Sequence, residues 1–159
     1  MLAKLATAYE VPVVLTTVGV DMGVNKATVE EIRAELPGVE EIDRTGVNAW
    51  EDADVRAAVE ATGRRKVVIG GLWTEVCLTF PVIDLLAEGY ECYPVADAVG
   101  GTSTVAHERA FDRMIAAGAQ PVTANAVGCE LMRNWARPDS DRFRDIINWY
   151  FSRRAELDR

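Results

Sequence analysis

The chain has 159 residues, 49% of them hydrophobic and 26% charged, a balance that gives one compact domain with a sizeable core. Seventeen basic residues against 25 acidic ones leave a net charge of −8, which argues against nonspecific binding to nucleic acid or to an anionic membrane surface. Three scattered cysteines form neither a disulfide framework nor a paired metal site. No apolar run is long enough to span a bilayer, and the opening "MLAKLATAYEVPVVL" lacks the basic region, apolar core and cleavage site of a signal peptide, so a reducing cytoplasm is the expected home.

Taken in chain order, the pattern alternates. "LAKLATAYE" (2–10) has amphipathic helical spacing, and "VPVVLTTV" (11–18) is a β-branched strand. "ATVEEIRAEL" (27–36) returns to helical spacing and stops at Pro37-Gly38, followed by a weaker strand, "VEEIDRT" (39–45). "DADVRAAVEATG" (52–63) predicts a helix ended by glycine, and "KVVIGGL" (66–72) is the clearest buried strand. "LTFPVIDLLAEG" (78–89) reads as a helix and "YECYPVADAVGG" (90–101) as a strand closing on a glycine pair. "TSTVAHERAFDRMIAAGA" (102–119) is a capped helix, "QPVTANAV" (120–127) the last strand, and "CELMRNWA" a helix opened by Cys129. Five strands alternating with helices predict a single α/β domain over residues 1–159, Rossmann-like, three-layered α/β/α with a mainly parallel sheet. The chain opens on a helix, where doubly wound domains usually open on a strand that becomes central.

Cys77 in "GLWTEVCLTFP" lies between the clearest strand and the next helix, the place where open α/β sheets put ligands and chemistry. In the first turn of a helix, unpaired N–H groups and the helix dipole favour thiolate and can hold an oxyanion. Pro81, four residues on, removes the N–H that would bond the Cys77 carbonyl and predicts a bend beside the thiol. Position alone leaves two readings open, nucleophile or small buried hydrophobe.

"GLWTEVC" resembles the nucleophile motif of the isochorismatase-like cysteine hydrolase superfamily, in which a strand runs into G-x-x-T-[DE]-x-C and a helix. "RTGVNAW", "EATGRRKVVI", "DAVGGTS", "AHERAFDRM" and "AAGAQPVT" resemble successive segments of an uncharacterised hydrolase branch of that superfamily, over residues 3–137. The resemblance implies that Cys77 attacks an amide or related C–N bond, working with an aspartate and a lysine. It also implies a non-proline cis peptide, here Leu72–Trp73, that aims the Trp73 N–H together with that of Cys77 at an oxyanion. Leu72, Thr74 and Trp50 are then candidate pocket residues, with core packing as the alternative for the tryptophans Trp50 and Trp73.

Two positions depart from that pattern. The lysine position, in "IDRTGVNAW", holds Arg44, which keeps a positive charge but cannot give up a proton; the alternative for Arg44 is a structural ion pair with Asp43 or a surface carboxylate. The family's aspartate ends a first strand that precedes the helix beginning here at Leu2, and neither is present in the chain. Asp97 is the carboxylate best placed to substitute, with a loop anchor as the commoner role for an aspartate beside glycines. No metal or other cofactor is expected: "TTVGVDMGVNKAT" carries no histidine, and the sole histidine, His107, reads as a packed or capping side chain. Glu75 either tunes the site or satisfies the first helical turn, and Cys92 sits mid-strand. "DIINWYF" (145–151) clusters aromatic and aliphatic residues and reads as a docking or subunit contact, in line with a homo-oligomer acting on a small-molecule substrate. The rival functions are a catalytically incomplete homologue serving as an oligomeric scaffold or binding module, and a redox-sensing thiol at Cys77.

Overall fold

A computed structural model describes residues 1–157; residues 158 and 159 of the expected domain lie outside the described residues. Helix α1 (Leu2–Ala8) leads into β1 (Leu15–Val18), α2 (Glu30–Arg33) and β2 (Glu41–Arg44). A short 3₁₀ turn (Ala49–Glu51) then precedes α3 (Ala53–Ala61) and β3 (Lys66–Leu72). A π-helical turn (Thr74–Leu78) runs directly into α4 (Thr79–Ala87), and β4 (Glu91–Gly100), α5 (Thr104–Ala116), α6 (Ala124–Met132) and α7 (Ser140–Leu157) complete the chain.

The parallel α/β architecture follows from the alternation, with side chains fixing several boundaries. Asp52 caps α3 by accepting from the N–H groups of Asp54 and Val55, and Ser103 and Thr123 cap α5 and α6 in the same way. Gly71, at φ 145°, occupies backbone space closed to other residues, and the register of β3 against β4 shifts between Ile69 and Gly71. The last predicted strand is corrected. Within 120–127 the β-pairing among the described residues is a single bridge, Val95 to Val122, because Pro121 has no N–H to give and Thr123 already starts α6. Cys129 consequently lies inside α6 rather than at the start of a helix.

The sheet is also not continuous. β1 pairs in parallel with β2, and β3 with β4, as two separate two-stranded pieces. Helix placement orders them. α1 reaches the segment after α2 through the Lys4–Glu35 ion pair (2.6 Å) and the Thr7 hydroxyl on the Glu35 carbonyl, so α1 and α2 share one face. Helices α3, α4 and α5 cover the other face, around a core of Trp50, Leu78, Val82, Leu85, Tyr90, Cys92 and Met114 against which Val59, Val67 and Ile69 pack. Right-handed crossovers on opposite faces carry the two pieces in opposite directions, giving the order β2-β1 then β3-β4. The edges of β1 and β3 therefore face one another across the point where the winding reverses. α1 covers this interval on one side, with Leu2 against Gly70. Ala58 and Thr62 of α3 line a cavity of about 380 Å³ with Leu15 of β1 and Ile42 of β2, beside the β1–β2 piece. β3 is correspondingly open for a strand expected to be buried: Val68 is 46% and Leu72 69% exposed.

A second core lies on the α1 face, where Leu5, Met132, Phe143 and Ile146 bring α1, α6 and α7 together. Of the 145–151 cluster, Ile146 and Ile147 pack into this core, whereas Trp149 and Phe151 stay exposed.

Candidate active site

Cys77 lies in the π-helical turn that joins β3 to α4, at the carboxyl end of β3 and beside the reversal point of the sheet. The sequence accounts for this turn. Pro81 has no N–H for the Cys77 carbonyl, so the chain makes a wider turn before the α-helix begins. The Thr74 carbonyl accepts both the Thr79 N–H and the Thr79 hydroxyl, the latter at 2.6 Å. The Trp73 carbonyl accepts from Val76 and Leu78 at 3.1 and 3.3 Å. The predicted bend is thus a one-turn π-helix, and the thiol on it is partly accessible.

The peptide between Leu72 and Trp73 is cis, as the resemblance implies. Leu72 and Trp73 are well exposed, at 69% and 55%, while Thr74 behind them is fully buried. Trp50 has the core placement: it is 4% exposed, edge-to-face with Tyr90 at 5.3 Å, and its indole N–H donates to Glu88.

Three cysteines are separated by environment. Cys92 is in the core, and burial pushes its thiol up to about 11, which removes it as a nucleophile. Cys129 is exposed on α6. Cys77 alone among them sits at a strand's carboxyl end.

Arg44 ends β2 and is 5% exposed. Its guanidinium donates to the Gly46 carbonyl, and its buried Nε has no partner among the described residues. The expected alternative, an ion pair with Asp43, is not formed. The Asp43 oxygens instead accept from the Thr17 hydroxyl and from the N–H groups of Val20 and Asp21. These bonds, the Asp21 N–H foremost, hold the Asp43 carboxyl below its ordinary range. Arg44 is thus a buried cation with an unfilled donor at the carboxyl end of the sheet.

Asp97 has the anchor role. One oxygen accepts the Ala124 N–H at 2.7 Å, starting α6, and the other accepts the Tyr150 hydroxyl at 3.2 Å. It does not replace the family's aspartate. Sequence reasoning missed a cluster behind the nucleophile: the Thr74 hydroxyl meets His107 Nδ1 at 3.0 Å, and Glu75 accepts from the backbone and hydroxyl of Thr102. Glu75 is therefore tied to the loop after β4 as well as to its own turn. Among the described residues no group of three or more histidine, cysteine or acidic side chains is placed to hold a metal ion, and no helix is long and apolar enough to cross a membrane.

Comparison with known proteins adds the lineage. The isochorismatase domain family matches residues 1–126. Escherichia coli "Probable hydrolase YcaC" is 39% identical over 135 residues, which is 84% of this chain; the chain spans 64% of that relative's length. The structure of YcaC from Pseudomonas aeruginosa, with hexane-2,5-diol and covalent acrylamide, superposes with a TM-score of 0.90 at 39% identity, covering 98% of this chain and 77% of that one. The Escherichia coli YcaC structure, an octameric hydrolase of unknown specificity, gives a TM-score of 0.82 at 34% identity over 95% of this chain and 79% of its own. With its motif, its parallel α/β/α layers and its cis peptide before the cysteine turn, the chain belongs to the isochorismatase domain family.

Proposed function

We propose that this chain is a cysteine hydrolase that cleaves a small amide or related C–N bond through a Cys77 thioester. The observation that carries the reading is the thiol's place, partly accessible on a π-helical turn at the carboxyl end of β3 and at the reversal point of a doubly wound sheet. In the reaction Cys77 Sγ bonds to the carbonyl carbon, the C–N bond breaks and the nitrogen leaves protonated. Water then hydrolyses the thioester and restores the thiol. The Trp73 and Cys77 amides hold the oxyanion, and Arg44 stabilises negative charge without exchanging protons. The covalent acrylamide in the Pseudomonas aeruginosa relative supports the reading, since acrylamide adds to thiolates.

The sheet stands as two unjoined pieces, and Arg44 keeps an unfilled Nε donor among the described residues. The same open sheet favours a second reading, a catalytically incomplete homologue acting as an oligomeric scaffold. Assembly into a homo-oligomer fits both readings, given the exposed Trp149 and Phe151 and the octamer formed by the Escherichia coli relative.

Acrylamide and iodoacetamide labelling across pH, read by peptide mass spectrometry, tests the nucleophile. Cys77 is expected to label ahead of exposed Cys129. Small amides and activated esters then give an acyl adduct on the intact chain that Cys77→Ser abolishes. Labelling of Cys77 no faster than Cys129, with no adduct, overturns the hydrolase in favour of the scaffold.

A further inference from the structure

The turn carrying Cys77 is held by residues far away in sequence. Thr74 is completely buried, and its two polar groups are fixed from two helices. Its carbonyl takes the Thr79 hydroxyl of α4, and its own hydroxyl lies 3.0 Å from His107 Nδ1 of α5. One residue on, Glu75 Oε1 accepts from Thr102 N and Oγ1, while Oε2 is buried and has no partner. Gly101 makes this packing possible. A Cβ there would come within 3.0 Å of Glu75 Oε2 and of the His107 backbone N and Cβ at once. The imidazole is braced on its other side by Phe111, 4.9 Å away.

We propose that His107 is a positioning residue for Cys77, tethering the nucleophile's turn through Thr74. The proposal deepens the cysteine-hydrolase reading and rests on it. A neutral ring accepts the Thr74 hydroxyl hydrogen at Nδ1; a protonated ring donates to the same oxygen. The tether survives both states. From the turn, Glu75 is the carboxylate beside the ring. The Gly100–Ser103 loop carries no charge. On α5 itself Arg109 pairs with Glu108 and Asp112.

The test is the rate of iodoacetamide alkylation of Cys77 from pH 5 to 9 in the full chain, with exposed Cys129 as the internal reference. His107→Asn, whose amide keeps a bond to Thr74, stays within about twofold of wild type. His107→Phe and Thr74→Val each slow Cys77 by roughly fivefold, and the double variant slows it no further, because both remove one interaction. A His107→Asn variant as slow as His107→Phe, or losses that add in the double variant, overturns the proposal. Should His107→Phe fail to fold by circular dichroism, the Asn and Val variants still decide. Absence of an acyl adduct counts against the hydrolase; an alkylation profile insensitive to His107 counts against the tether.

Discussion

At the scale of single residues, neighbouring Asp43 and Arg44 have separate tasks. Asp43 organises the loop after β1 through Thr17, Val20 and Asp21, and leaves Arg44 without a carboxylate. Because the folded Asp43 pKa lies below its unfolded value of 3.8, the stability it supplies is fully present above that value and is lost as pH falls through the folded pKa. Asp43→Asn is therefore expected to melt below wild type at pH 7, with the gap closing as the pH drops beneath about 4; melting curves from pH 7 to 2.5 give the comparison. Cys77 was legible in the sequence because its motif and the strand before it are local. The Thr74–His107 contact was not, since 33 residues separate the pair and nothing in "AHERAF" marks which turn the ring will meet. Trp50 shows the same limit: composition could not say whether its indole would face substrate or, as found, Glu88 and Tyr90.

Helix α3 was readable to within a residue or two, because Asp52 bonding to the first turn is a sequence-local event, whereas the start of α6, capped in the same way by Thr123, was read as a strand. α2 is shorter than its periodicity predicts: Val29 offers no side-chain cap, leaving one α-helical turn before Pro37. The last strand failed for a tertiary reason, since Gln120 and Val122 bond to β4 only on either side of Pro121 before Thr123 turns the chain into α6. Packing between elements is equally invisible to periodicity. Gly128 of α6 lies so close to α7 that a Cβ there would sit 2.3 Å from Phe143 Cε2, in a ring that is 1% exposed. Gly128→Ala gains about 1 kcal/mol of helix propensity but overpacks this contact by roughly 1–3 kcal/mol. The expected result is a net loss of stability in chemical denaturation, with an unchanged transition slope.

At the scale of the whole molecule, the α/β class and the parallel sense of the strands were legible, and the interval between β1 and β3 was not. Its position could come only from the helix contacts on both faces. Hydrogen exchange separates the strands accordingly. β4 is paired to β3 over Glu91–Pro94 and again at Val99 and Gly100, and to Val122 on its other side, so its amides are expected to be the best protected. The amides of β1 and β3 that point away from their partners are expected to exchange near the rate of an unstructured chain. Protection of both sets alike would mean that the interval is closed in solution by another copy of the chain or by a rearranged sheet.

The burial of Cys92 has one more consequence. A thiol 1% exposed and held near 11 is silent while the central core is intact and ordinary once the core opens. Exposed Cys129 reports on the same reagent at the same moment. The ratio of their labelling rates is an internal clock for core opening, so the molecule carries its own gauge of folding, free of any added dye or tag.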